Sequence, residues 1–330
     1  MDRHLLIPGL EHIEAEPDWK RLRQVLLREM VPDRIPSMEL IVDDEIVQTV
    51  LGRPISGFLD YVEFHLRMGY DTVSMRISPN FAKVYHESDD TAALNKDKRD
   101  WAAGSGGLVR TRSDFDSYQW PDVDSSLASR FEQAAGVLPE GMGVTLRSSG
   151  VLDNMIKVMS YEGMSEALYD DPDLVKDVAD RVGEMLYRTF EQIIDCDCVV
   201  GSFFGDDLGF RTGTLISPTH IRAYVLPWLK RIADLTHDRG KFVLLHCCGN
   251  GDVVMDDLID FVGIDGKHSY EDAIMPVTEV KQRYGDRISI IGGVDMDVLA
   301  RRSPDEVDAY VTYSMSAHQA AATCSVQATR

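Results

Sequence analysis

The chain has 330 residues, 44% of them hydrophobic and 27% charged, proportions that point to a folded globular protein and away from a disordered one. Its 55 acidic side chains outnumber 34 basic ones for a net charge of −21, a field that repels nucleic acid and anionic membrane surfaces and argues against both as partners. No apolar run of membrane-spanning length and no signal-type apolar core occurs, so a cytoplasmic enzyme is expected, in which five cysteines read as thiols or metal ligands before disulfides.

Residues 18–30 set Leu22, Val25, Leu26 and Met30 on one stripe, which predicts an amphipathic helix inside a helical lead-in over residues 1–33. A strand follows at 34–42, a helix at 57–68 and a second strand at 70–77. Residues 78–123 then turn polar and irregular, an excursion over one face with a hairpin expected near 107–111. Its AGSGG run is read as turns, because no strand leads into it and no helix leaves it.

Regular alternation resumes with strands at 143–147, 199–204, 242–245, 261–265, 287–292 and 323–326. Helices at 125–135, 151–169, 173–194, 218–239, 253–259, 275–284 and 304–315 separate them. Strands that alternate with helices call for a parallel sheet, and eight such units in a chain of this length suggest a closed (β/α)8 barrel of the TIM type. No linker interrupts the count, so residues 1–330 are taken as a single domain.

The stretch KFVLLHCCGNG carries the most chemistry. An apolar run of β type delivers His246, Cys247 and Cys248 at its end, and Gly249 lets the chain turn away. Side chains alternate along a strand, so His246 and Cys248 point the same way, roughly 6.5 Å apart along the backbone, and Cys247 points to the other face. One Zn²⁺ can take both. The competing reading is structural: free cysteine is among the most buried residue types, and a strand-end histidine often only closes a hydrogen-bond network.

A barrel of this kind carries its active site at the C-terminal ends of its strands. Arg76, Arg147, the pair Asp206 and Asp207, then Lys267, His268, Asp295 and Cys324 fall at or near that rim. Cys324 supplies the third sulfur or nitrogen donor there, whereas Cys196 and Cys198 enter the fourth strand from the opposite end and read as structural. Asp206 and Asp207 suit proton transfer or a fourth metal ligand, although an aspartate before LGF also caps a turn. Asp295 reads as the N-cap of the helix near Asp297, and His220 and His237 as packing or surface residues on helices.

The runs GDDLGFRTGTLISPTHIRAYVLPWLKRI, LLHCCGN and YGDRISIIGGVDMDVLARRSPDEV, with VPDRIP early in the chain, resemble the uroporphyrinogen decarboxylase superfamily. The resemblance covers nearly the whole chain and is strongest from Gly205 to Val307. Decarboxylases of that superfamily carry an RQAGR-type arginine signature near the N-terminus. The corresponding stretch here, RLRQVLLREMVPDR, lacks it.

The other branch comprises corrinoid-dependent methyltransferases that bind zinc through His-x-Cys, Gly-Asn and a distant C-terminal cysteine. His246, Cys248, Gly249 and Asn250 match the first part, and Cys324 falls where the resemblance expects the last ligand. It therefore implies a zinc-dependent methyltransferase acting with a corrinoid carried by a partner protein and with a small thiol or methylated substrate. The chain departs from the family pattern just before the last strand, which reads AHQAAATCSV with no glycine-rich run.

Two rivals stay beside that expectation. One is metal-free decarboxylation of a porphyrinogen or related polycarboxylate, with Asp207 as proton carrier and Arg76 and Arg147 binding the substrate. The other is a non-catalytic barrel that binds a tetrapyrrole or a corrinoid protein.

Overall fold

The computed structural model describes residues 15–32, 35–82 and 106–314 with their side chains, and the backbone of 85–89, 98–102, 315–316 and 323–326. Eight parallel strands make up the main sheet: β1 (Ser37–Met38), β2 (Thr72–Arg76), β3 (Gly143–Ser149), β4 (Val199–Gly205), β5 (Phe242–His246), β6 (Gly266–His268), β7 (Ser289–Ile291) and β8 (Thr323–Val326). Their order around the sheet is β1, β8, β7, β6, β5, β4, β3, β2, the cyclic succession of a (β/α)8 barrel. At the seam between the two end strands, the Ser74 hydroxyl donates to the carbonyl of Glu39, 3.3 Å away.

Period-two alternation explains how the strands are filled. Phe242 and Leu244 of β5 share an inner cluster with Met38, Phe203 and Ile291, whereas Val243 and Leu245 belong to the outer layer under the helices. All four β5 residues are fully buried, and each contributes about 1.5–3 kcal/mol of burial free energy. The lead-in helix Trp19–Leu26 closes the barrel's N-terminal end: Leu22 and Leu26 join the inner cluster, and the hydroxyl of Ser289, at the start of β7, donates to the Leu26 carbonyl at 2.8 Å.

Two local expectations are corrected, and one helix lies where no element was expected. The sixth strand is Gly266–His268, not 261–265, because Phe261 and Val262 finish a π-helical turn over Asp257–Val262 that Gly263 ends at φ +83°. A helix at Asp44–Leu51 follows β1, stopped by Gly52 at φ +70°. In the excursion, the hairpin pairs Tyr85–Asp89 with Lys98–Ala102, and the chain after Thr111 is helical over Arg112–Ser117. Thr111 and Asp114 form a reciprocal capping box there, with Thr111 N–H on the Asp114 carboxylate at 2.9 Å and Asp114 N–H on the Thr111 hydroxyl at 3.2 Å.

Candidate metal centre

β5 delivers His246 into the mouth of the barrel, and the chain turns at once. Gly249 stands at φ +73°, and a Cβ there would lie 2.1 Å from the Gly209 carbonyl oxygen, so only glycine lets the loop pass the small hairpin Gly209–Phe210/Gly213–Thr214. Alternation holds through the turn. Cys247 is fully buried in the outer core, and Cys248 faces the cavity with its Sγ 3.3 Å from His246 Nε2.

Asp207, two residues past β4, completes the group. Its Oδ1 accepts the Cys248 N–H at 2.8 Å and lies 3.8 Å from His246 Nε2. The three donor atoms fall within 4.8 Å of one another. Donors about 2.0–2.3 Å from a tetrahedral zinc stand roughly 3.3–3.8 Å apart, so nitrogen, sulfur and carboxylate oxygen here fit one ion without large movement. Burial, and then the charge of Asp207, pushes the Cys248 thiol up to about 12. A divalent cation among these donors reverses that order, since a coordinated thiol is deprotonated outright.

The surrounding side chains fix the donors. His246 Nδ1 lies 2.7 Å from Nδ1 of His268, their rings tilted by 34°. Burial, and then His246, holds His268 well below the usual histidine range, which keeps it neutral. A proton on His246 Nδ1, donated to Nδ1 of His268 across this contact, leaves His246 Nε2 bare toward Cys248 and Asp207. Ser269 Oγ stands 3.5 Å from Cys248 Sγ, and Glu271 accepts the Gly249 N–H at 3.2 Å. Lys267 is buried beneath the loop, its ammonium donating to the Cys247 and Ser269 carbonyls at 3.1 and 2.9 Å.

Asp206 faces away from this group. Fully buried, its carboxylate accepts the N–H groups of Val151, Leu152 and Asp153 at 2.8, 3.2 and 2.9 Å, at the start of helix Val151–Met159. Burial, and then Asp153, pushes it up to about 8. Asp153, which the sequence reading did not single out, lines the mouth, and its Oδ1 stands 3.4 Å from the Asp207 N–H. Burial, and then Asp207, raises Asp153 to about 6. Its only signal in the sequence is its place in the first helical turn after β3.

Arg76 and Arg147 end opposite each other on β2 and β3 and border the mouth cavity of about 690 Å³. Cys324 lies on β8 in register with Ile291, and its side chain is outside the described residues. Cys196 and Cys198 stand before β4, away from the mouth, where Cys198 Sγ contacts the Phe131 carbonyl at 3.7 Å. Asp295 accepts the Asp297 N–H as the N-cap of Met296–Arg301. His237 pairs with Asp265 at 2.9 Å, and His220 stacks on Tyr224. Among the described residues no helix is long and apolar enough to cross a membrane.

Fold and site together define an α/β barrel with a cluster of metal-ligating side chains at its mouth. The model of the uroporphyrinogen decarboxylase (URO-D) family matches residues 109–324, about two thirds of the chain, and the chain belongs to that family. A methyltransferase from Methanosarcina mazei overlays with a TM-score of 0.66 at 15% identity, over 94% of this chain and 93% of that one. An endo-1,4-β-mannanase from Rhizomucor miehei overlays with a TM-score of 0.40 at 12% identity, over 90% and 87%. No curated protein matches by sequence.

Proposed function

We propose that this chain is a zinc-dependent methyltransferase of the uroporphyrinogen decarboxylase family, moving a methyl group between a corrinoid carried by a partner protein and a small thiol or methylated substrate. The observation that carries the reading is the convergence of Asp207, His246 and Cys248 at the barrel mouth. His246 and Cys248 would hold the ion, with Asp207 or the distant Cys324 as further donor. Bound there, zinc would present a substrate thiol as its thiolate, or polarise a methyl donor, through a coordination position left to the substrate.

The chain's own residues do the rest. His268 keeps His246 turned with Nε2 toward the site, and the loop held by Lys267 and Glu271 fixes Cys248. Asp206 anchors the helix that carries Asp153, and Asp207 is the carboxylate within reach of a proton leaving the substrate. Arg76 and Arg147 hold an acidic group of that substrate. Ile41, Met296 and Leu299 give the mouth a partly apolar rim suited to a partner protein.

Zinc analysis of the purified chain tests the reading, together with transfer of methyl from methylcobalamin to a simple thiol such as 2-mercaptoethanol. About one zinc per chain and transfer that vanishes in Cys248→Ala are the expected results. A His246→Ala protein that keeps both metal and transfer would rule the scheme out. The decarboxylase reading draws its support from the two arginines and from the raised carboxyl of Asp153, and turnover of a porphyrinogen by zinc-free protein would favour it.

A further inference from the structure

A second cavity, about 740 Å³ in volume, lies at the seam between β1 and β2, a size that takes a small organic molecule. It runs between helices Phe58–Arg67 and Leu127–Ala135, and Arg76 and Arg147 border both this cavity and the mouth. The arginines are in-register partners on adjacent parallel strands, so their side chains leave the backbone about 5 Å apart on the same face. Among the described residues neither pairs with a carboxylate, and Arg147 Nε is buried without a hydrogen-bond partner. The remaining wall is mixed: Leu59 and Val137, both exposed, join Val42 and Phe58 in an apolar stretch, and Glu39 and Asp44 also line the cavity, their carboxylates accepting the Leu40 N–H at 3.0 Å and the Tyr61 hydroxyl at 2.6 Å.

Two guanidinium groups side by side repel each other, and a buried donor with no acceptor is an unmade bond, so both features oppose folding as they stand. A carboxylate relieves both at once, because a guanidinium holds it through two parallel N–H bonds. We propose that the seam cavity binds a small amphipathic carboxylate, with its head group on Arg76 and Arg147 and its apolar body along Val42, Phe58, Leu59 and Val137. The site does not depend on the methyl-transfer reading, since none of the three metal-type donors lines it. Because the arginines also face the mouth, its occupant competes with any acidic substrate for the same positive charge.

Hexanoate and 1-hexanol, titrated calorimetrically into the full chain after treatment with a chelator, separate the cases. Hexanoate is expected to saturate one site per chain, with hexanol at least roughly tenfold weaker. Arg147→Met lowers the hexanoate affinity roughly tenfold or more. Val137→Trp lowers it too by filling the apolar end, and Cys248→Ala leaves it unchanged. Equal binding of acid and alcohol overturns the proposal, as does parent-like affinity in Arg147→Met or in Val137→Trp. Loss of binding in Cys248→Ala also overturns it, because the anion then sits at the mouth. Should Arg147→Met fail to fold, Arg76→Met, at an exposed side chain, provides the same readout.

Discussion

His246 and His268 meet Nδ1 to Nδ1 at 2.7 Å across adjacent strands β5 and β6, where they are in-register partners. A histidine that ligates through Nε2 needs its other ring nitrogen protonated and held, and His268 supplies the acceptor. Substituting His268 by Phe keeps a ring in the buried space and removes that acceptor. Zinc affinity, measured by competition with a chromogenic chelator, is expected to fall roughly 10–100-fold. His268→Gln, which keeps an acceptor, is expected to recover part of the loss, and an unchanged affinity in His268→Phe would make the contact incidental.

The two adjacent cysteines give a sharper contrast. Cys248 faces the cavity and Cys247 is packed in the outer core, so their alanine variants should fail in different ways. Cys248→Ala is expected to lose zinc while keeping the fold, and Cys247→Ala to keep zinc while losing stability, on the order of 1 kcal/mol for a small buried side chain. Metal content by emission spectroscopy and thermal unfolding with and without chelator check both halves. Zinc retained in Cys248→Ala would remove that thiol from the donor set.

Much of this centre could be read from the chain before it folded, and the reason is local. Burial of Phe242 to Leu245 and the alternation that sends Cys247 one way and His246 and Cys248 the other depend only on strand geometry. Asp207 was legible as a residue just past a strand. By contrast, the pairing of His246 with His268 depends on the register of two strands far apart in sequence, and Asp153 reaches the mouth only because Asp206 holds its helix there. The sixth strand was misplaced because Phe261 and Val262 are apolar enough for either a strand or a helix end, an ambiguity of short apolar runs. The Asp44–Leu51 helix carried its signals, an aspartate before it and Gly52 after it, but it is only two turns long and fell in the stretch between residues 42 and 57, to which no element was assigned.

Away from the centre, His65 gives the fold a pH dependence of defined sign. It is buried, its Nδ1 lies 2.7 Å from the Tyr61 carbonyl, and burial holds it near 4 against an ordinary 6.5. The unfolded chain therefore takes up a proton below pH 6.5 that the folded chain refuses until about pH 4. Stability from this group is fully present above 6.5 and is lost as pH falls toward 4, by about 3 kcal/mol in all. Urea unfolding between pH 7 and 4 should give a flatter profile for His65→Asn, which keeps a donor for the Tyr61 carbonyl. Parallel profiles for the two proteins would show that His65 protonates without unfolding.

The last prediction concerns Asp206, whose buried carboxylate takes three backbone N–H bonds from Val151, Leu152 and Asp153. Gly150 exists in this form because of it: a Cβ there would lie 2.2 Å from the Asp206 side chain. Alanine at 206 strands three buried donors at a helix start, each costing about 1–3 kcal/mol unless water enters, so Asp206→Ala is expected to lose about 3 kcal/mol or more. Asparagine keeps one acceptor oxygen and drops the buried charge. Because the raised carboxyl favours the folded state at low pH and loses that contribution as pH rises through about 8, Asp206→Asn should lose least, relative to the parent, at alkaline pH. Denaturant midpoints at pH 6 and pH 9 for the two variants test both statements, and a neutral Asp206→Ala would mean that the helix start is held by something other than this carboxylate.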